Sequence, residues 1–270
     1  MLNAKFFAGL AIIVLSIVSL VVAKPTLVPA NVNTPQGPVP VIIPEHAKEI
    51  ADGVFSLGEA QDVDGRTVEG FLFIDYKKEN AKPPWAGGGQ GKSEGKCFAF
   101  FAQGARWKTT ENYTTGAGID TTVTETSLET WDSNVSFDIF GVRNATGTTD
   151  GADNVNPDGN NEVMFENLGE TGSIAYTIVW GVFSGPPSGR KLVEWDAVFN
   201  SNYTFGNFDG TTTVMDYQNI ATHEFGHALG LGHPDDSCTE ETMYRFAAFN
   251  ETKKRTLEAG DIAGVQSLYS

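Results

Sequence analysis

The chain has 270 residues, a formal net charge of −16 and a pI near 4.5. That length leaves room for one sizeable domain and a small extra module. The acidity argues against a nucleic-acid partner, because no basic cluster is present to neutralise phosphates, and otherwise serves solubility.

Phe6 to Ala23 is an uncharged, mostly apolar run behind Lys5, with small residues at Val21-Val22-Ala23 for a cleavage site. This predicts a signal peptide over residues 1–23. Its length also admits an uncleaved anchor, which is the one route to a membrane partner. Either way the remainder is expected to be secreted or extracellular. Sequons beginning at Asn112, Asn134, Asn144, Asn202 and Asn250 fit export.

Residues 24–52 hold a Pro-rich stretch expected to be extended, followed by a short segment with His46, an ordinary surface histidine. Residues 53–82 predict a small β module, possible as a pro-segment: two apolar stretches, 54–57 and 68–74, flank the turn signal Asp62-Val63-Asp64-Gly65. Residues 83–96, within Lys82 to Lys96, are rich in Gly and Pro and predict a linker. From Cys97 to Ser270 the composition is that of a globular domain. A strand is expected over Arg106–Tyr113, then an amphipathic helix over Ile119–Trp131. Strands follow at Val135–Val142, Glu162–Phe165, Ile174–Trp180 and Leu192–Asn200. Helices are expected at Tyr217–Leu229 and Glu258–Tyr269. The order predicts an α/β (α+β) domain with a twisted mixed sheet of about five strands. The only cysteines, Cys97 and Cys238, are an even pair in an exported chain and suggest a disulfide; a free Cys97 thiol that blocks a metal is the competing reading.

Three of the four histidines fall in His223-Glu224-Phe225-Gly226-His227-Ala228-Leu229-Gly230-Leu231-Gly232-His233. On a helix, His223 and His227 share one face about 6 Å apart along the axis. A continued helix would carry His233 about 15 Å along from His223 and away from the pair, so the chain must turn. Gly230 accepts the left-handed conformation that such a turn needs. Three imidazoles with an open fourth position suit catalytic zinc, and Glu224 can reach a water held there.

This stretch, H-E-x-x-H-x-x-G-x-x-H, resembles the metzincin zinc metallopeptidases, most closely their matrixin-like branch. Met243 in Glu241-Thr242-Met243-Tyr244 is placed like the family's Met-turn. The segment 257–269 is similar to its closing helix, and 194–200 to the strand before the active-site helix. The resemblance implies a zincin-like catalytic domain over 97–270. It implies zinc on His223, His227 and His233, Glu224 as general base, and Met243 as an apolar floor. It also implies hydrolysis of extended protein or peptide substrates paired to an edge strand, for which Ile174–Trp180 is the candidate. Departures are Pro234 after the third His, Arg245 two residues beyond the Met, and the absence of the inhibitory sequence P-R-C-G-x-P-D. Calcium is a further candidate cofactor, since Asn154-x-Asn156-x-Asp158-Gly159 partly imitates a calcium loop, although a plain turn-rich loop fits as well. The alternative to an enzyme is an exported zinc-bearing peptide-binding or surface protein without catalysis.

Overall fold

The computed structural model describes residues 43–77 and 96–270. The leader, most of the Pro-rich stretch and nearly all of the linker lie outside the described residues. The strands are β1 (Lys48–Ala51), β2 (Val54–Gln61), β3 (Thr67–Lys77), β4 (Ala99–Phe100), β5 (Glu111–Thr115), β6 (Phe140–Asn144), β7 (Glu162–Glu166), β8 (Ser173–Val182) and β9 (Lys191–Asn200). The short strands β10 (Phe205–Gly206), β11 (Met215–Asp216), β12 (Leu231–Gly232) and β13 (Phe246–Ala247) follow. The helices are α1 (Thr121–Asp132), α2 (Tyr217–Ala228) and α3 (Ala259–Tyr269).

One nine-stranded sheet runs β1-β2-β3-β8-β9-β7-β5-β6, with β13 paired to β3. It is larger than the expected five strands because residues 48–77 add three strands and β13 a fourth: β3 pairs antiparallel with β8 from Glu69↔Gly181 to Tyr76↔Ser173. The expected edge strand is therefore an interior one. β8 lies between β3 and β9, and nine of its ten residues are buried.

Alternation along these strands feeds two apolar layers. Ala175, Val179, Ala197 and Phe199 face a core that includes Trp131, Phe225 and Met243 of the helical side. Tyr176, Ile178, Trp180 and Val198 face a second core with Leu57, Leu72 and Ile74. On β3 the same period puts Phe73 on the helical side and Leu72 and Ile74 on the other.

The helices begin and end as their sequences dictate. Asp120 caps α1 by accepting from Val123 N, and Asp216 caps α2 by accepting from Asn219 N. Trp131 Nε1 donates to Thr222 O at 2.8 Å, fixing α1 against α2. Two strands are displaced from expectation. The Arg106–Tyr113 stretch yields a strand only from Glu111, since Trp107 Nε1 is turned to Ala228 O. The Val135–Val142 stretch yields one only from Phe140, because the Asp132 carboxylate accepts from Ile139 N and Phe140 N and holds the preceding residues in turns.

Cys97 and Cys238 form a disulfide across 141 residues, so the thiol reading of Cys97 is corrected. Among the described residues no helix is long and apolar enough to cross a membrane. Closing so long a loop stabilises by about 5 kcal/mol in the chain-entropy account, and measured losses run about 2–5 kcal/mol. Cys238→Ser is expected to lose stability in that range in guanidinium denaturation; an unchanged midpoint would show that the bridge contributes nothing.

Candidate metal centre

α2 presents His223 and His227 one turn apart, both essentially inaccessible to solvent. The helix then stops. Gly230 adopts φ 116°, and a Cβ there would lie 2.9 Å from Ala105 O. The freed carbonyls find partners: Ala228 O accepts from Trp107 Nε1 at 2.9 Å and Leu229 O from Tyr269 Oη at 2.7 Å. The returning chain pairs as β12 with β4 and delivers His233. His233 Nε2 sits 3.3 Å from His223 Nε2 and 3.1 Å from His227 Nε2.

Those separations suit one small cation. Ligands about 2.0–2.1 Å from a tetrahedral zinc stand about 3.3 Å apart. The other ring nitrogens of two imidazoles meet carbonyls, Thr242 O at 2.6 Å from His223 Nδ1 and Leu231 O at 2.9 Å from His227 Nδ1. With Nδ1 donating, each Nε2 offers its lone pair inward. Burial, with the neighbouring imidazoles, holds His227 well below its ordinary range. Burial likewise lowers His233, against the opposing pull of Asp75. Neutral imidazoles placed in this way could hold a metal ion.

Glu224 is fully buried. Thr177 Oγ1, on β8, donates to Glu224 Oε2 at 2.6 Å, while Oε1 has no hydrogen-bond partner. Burial pushes this carboxyl well above its ordinary range, and the neighbouring Asp75 adds to the shift.

Met243 lies beneath α2 at Gly226, where a Cβ would stand 2.1 Å from the Met243 sulfur and 2.8 Å from the Trp131 ring. The Met243 segment is oriented from α3: the Asp261 carboxylate accepts from Thr242 N at 2.7 Å and Met243 N at 3.1 Å. That contact also aims Thr242 O at His223.

Two site residues were not visible in the sequence. Thr177 carries no local sign beyond its place in an apolar strand. Asp75 closes the fourth side of the centre, with Oδ2 3.0 Å from His223 Nε2 and Oδ1 3.1 Å from His233 Nε2. Burial opposes its ionisation, and only positive charge at the His223 and His233 nitrogens, from protons or from a cation held among them, lowers it well below the carboxylate range. Asp75 and the three histidines place four ligand atoms within 4.8 Å of one another.

The loop 150–162 is organised differently from a calcium loop. Asp158 accepts from Asn160 N and Nδ2 as a local turn. The cation-compatible group is instead Asp153, Glu194 and Asp196, again within 4.8 Å. Asp153 N donates to Asp196 Oδ2 at 2.9 Å, Gly159 N donates to Glu194, and Glu194 Oε1 is left without a partner. Burial and the neighbouring carboxylates push Glu194 up to about 9.

A buried cluster of three imidazoles, with a carboxylate on the same helix and a methionine floor, defines a mononuclear metal-site architecture of the zincin class. A matrixin (Peptidase M10) family profile matches residues 101–270, more than half of the chain, and the chain belongs to the matrixin family. It is similar to Metalloendoproteinase 2-MMP of Arabidopsis thaliana, 33% identical over 84 residues (31% of this chain, 21% of that protein). It is similar also to Homo sapiens neutrophil collagenase, 39% over 74 residues (27% and 15%), and to Arabidopsis thaliana Metalloendoproteinase 1-MMP, 44% over 56 residues (21% and 15%). The chain thus spans about a fifth or less of the length of these relatives.

Gly226→Ala tests the packing under the centre. Overfilling a tight core costs about 1–3 kcal/mol, so the variant should melt earlier by calorimetry; an unchanged melting temperature would mean that Met243 does not press on α2.

Proposed function

We propose that the chain is a zinc-dependent endopeptidase that hydrolyses peptide bonds of extended protein substrates. The convergence of three neutral imidazole Nε2 atoms beside Glu224 carries this reading. His223, His227 and His233 hold the ion. Bound zinc supplies a water acidified toward a pKa of about 7 and polarises a carbonyl.

Thr177 fixes Glu224 Oε2, which leaves Oε1 free to work. The Glu224 carboxylate takes a proton from the attacking water and passes it to the departing amine, so that one water is consumed and an acid and an amine are released. Met243 keeps the floor apolar. A substrate strand would pair with β8 in the place that β3 holds in this structure. In this reading residues 97–270 are the catalytic domain. The disulfide and the five sequons support an exported protein.

The test uses a peptide library without Lys or Arg, read by mass spectrometry. Zinc-loaded wild type and Glu224→Ala are each assayed before and after limited trypsin treatment, with the trypsin then inhibited. The variant should keep one zinc and cleave about 10²- to 10⁴-fold more slowly. Equal cleavage by the two would remove Glu224 from the reaction, and no cleavage by any wild-type sample would leave a peptide-binding protein.

Calcium at Asp153, Glu194 and Asp196 completes the reading, supported by the partnerless Glu194 Oε1 inside an acidic group of which Glu194 and Asp196 are buried. Calcium binds oxygen ligands, carboxylates above all. A ligand at a hundred times its Kd stabilises by about 2.7 kcal/mol. Calcium added to chelator-stripped, zinc-restored protein should raise the melting temperature, and Asp196→Asn should lose that response. No shift in the wild type would dismiss the site.

A further inference from the structure

We propose that Asp75 is a fourth ligand of the metal, and that β3 keeps this chain latent by lying in its own substrate cleft. This rests on the zinc-peptidase reading above. Asp75 enters from 148 to 158 residues away in sequence, yet its two oxygens stand 3.0 and 3.1 Å from the Nε2 atoms of His223 and His233, and Oδ2 stands 4.0 Å from that of His227. Its side chain is 6% exposed. A carboxylate is placed in such a site only with a compensating charge. Three neutral imidazoles supply none by themselves, and a divalent cation among the four groups does.

The consequence is chemical. A catalytic zinc site keeps one position for water, whereas a site with four protein ligands is closed. Asp75 also lies beside Glu224. It occupies the space in which the water to be deprotonated would have to stand.

The backbone around Asp75 adds a second, independent block. β3 is antiparallel to β8 on one side, with Phe73↔Thr177 and Asp75↔Ala175. Just beyond Asp75 it is parallel to β13 on the other, with Tyr76↔Phe246 and Lys77↔Ala247. An extended polypeptide is thus clamped between two strands over the metal, and β8 has no free edge for another. Phe73 stacks on the His227 ring at 4.2 Å and 12°. Gly70 lets the strand press on Trp180, whose ring would stand 2.6 Å from a Cβ there. Asp52 pairs with Arg245 at 2.7 Å, tying the loop before β2 to the segment that follows Met243.

The strand that lies in the cleft is spared because its own carboxylate replaces the nucleophile. No thiol is needed for this latency, since the chain's two cysteines are bonded to each other.

The test uses the full chain with cobalt(II) in place of zinc, in wild type, Asp75→Ala and the near-isosteric Asp75→Asn. Circular dichroism serves as the check of folding. The readouts are the visible cobalt spectrum and the affinity for acetohydroxamate by calorimetry. Loss of the carboxylate should change the spectrum and tighten acetohydroxamate binding about 100-fold, as expected when a site that is closed about 99% of the time is opened. A wild-type spectrum and wild-type affinity in both folded variants would overturn the role of Asp75. Failure of the wild type to bind cobalt at all would overturn the zinc reading itself, and this inference with it.

Discussion

His233 Nε2 approaches the Nε2 atoms of His223 and His227 to 3.3 and 3.1 Å in a place closed to solvent. Nothing else among the described residues imposes so many conditions at once. Three polar rings must be buried, aimed and kept neutral, and buried polar groups are costly without partners. The fold meets these conditions one by one. A helix aligns two rings, and a glycine with positive φ turns the chain so that the third can return. Carbonyls of Leu231 and Thr242 take the outer nitrogens of two of them. The carbonyls exposed where α2 ends are covered by Trp107 and Tyr269, which are themselves core residues.

The support is layered outward from there. Asp261 on α3 holds the Met243 segment by two backbone hydrogen bonds, and that segment both floors α2 and orients His223. Trp131 on α1 fixes the other side of the helix. Beneath it all lie β8 and β9, buried on both faces, so that Thr177 can reach Glu224 from a strand that cannot shift without disturbing two cores. The chemistry proposed for Glu224 depends on this rigidity, because one carboxylate oxygen is fixed and the other is left to exchange protons.

The parts of the molecule governed by local physics were legible in the sequence. The bounds of α2 and α3 fell within about one residue of expectation, because caps and apolar periods mark helix ends. The His spacing announced the centre, and Gly230 announced the turn. What escaped was set by distant pairing. The apolar stretch 68–74 indicates a strand but says nothing of its neighbour, so neither the nine-stranded sheet nor the loss of a free edge on β8 is visible in it. Asp75 ends that apolar run as an unremarkable polar residue. Only the register with β8 puts it on the same side of the sheet as Phe73 and over the histidines. The acidic group around Glu194 escaped for the same reason, since it joins a loop to a strand with no local sign that they meet.

The most direct measurement is a zinc titration of metal-stripped full-length chain by calorimetry, with stoichiometry from native mass spectrometry, alongside a folded His227→Ala variant. Three converging imidazoles require one equivalent of tightly held zinc in the wild type and a large loss of affinity in the variant. A wild-type chain that takes up no zinc, or a His227→Ala chain that holds it equally well, would contradict the account.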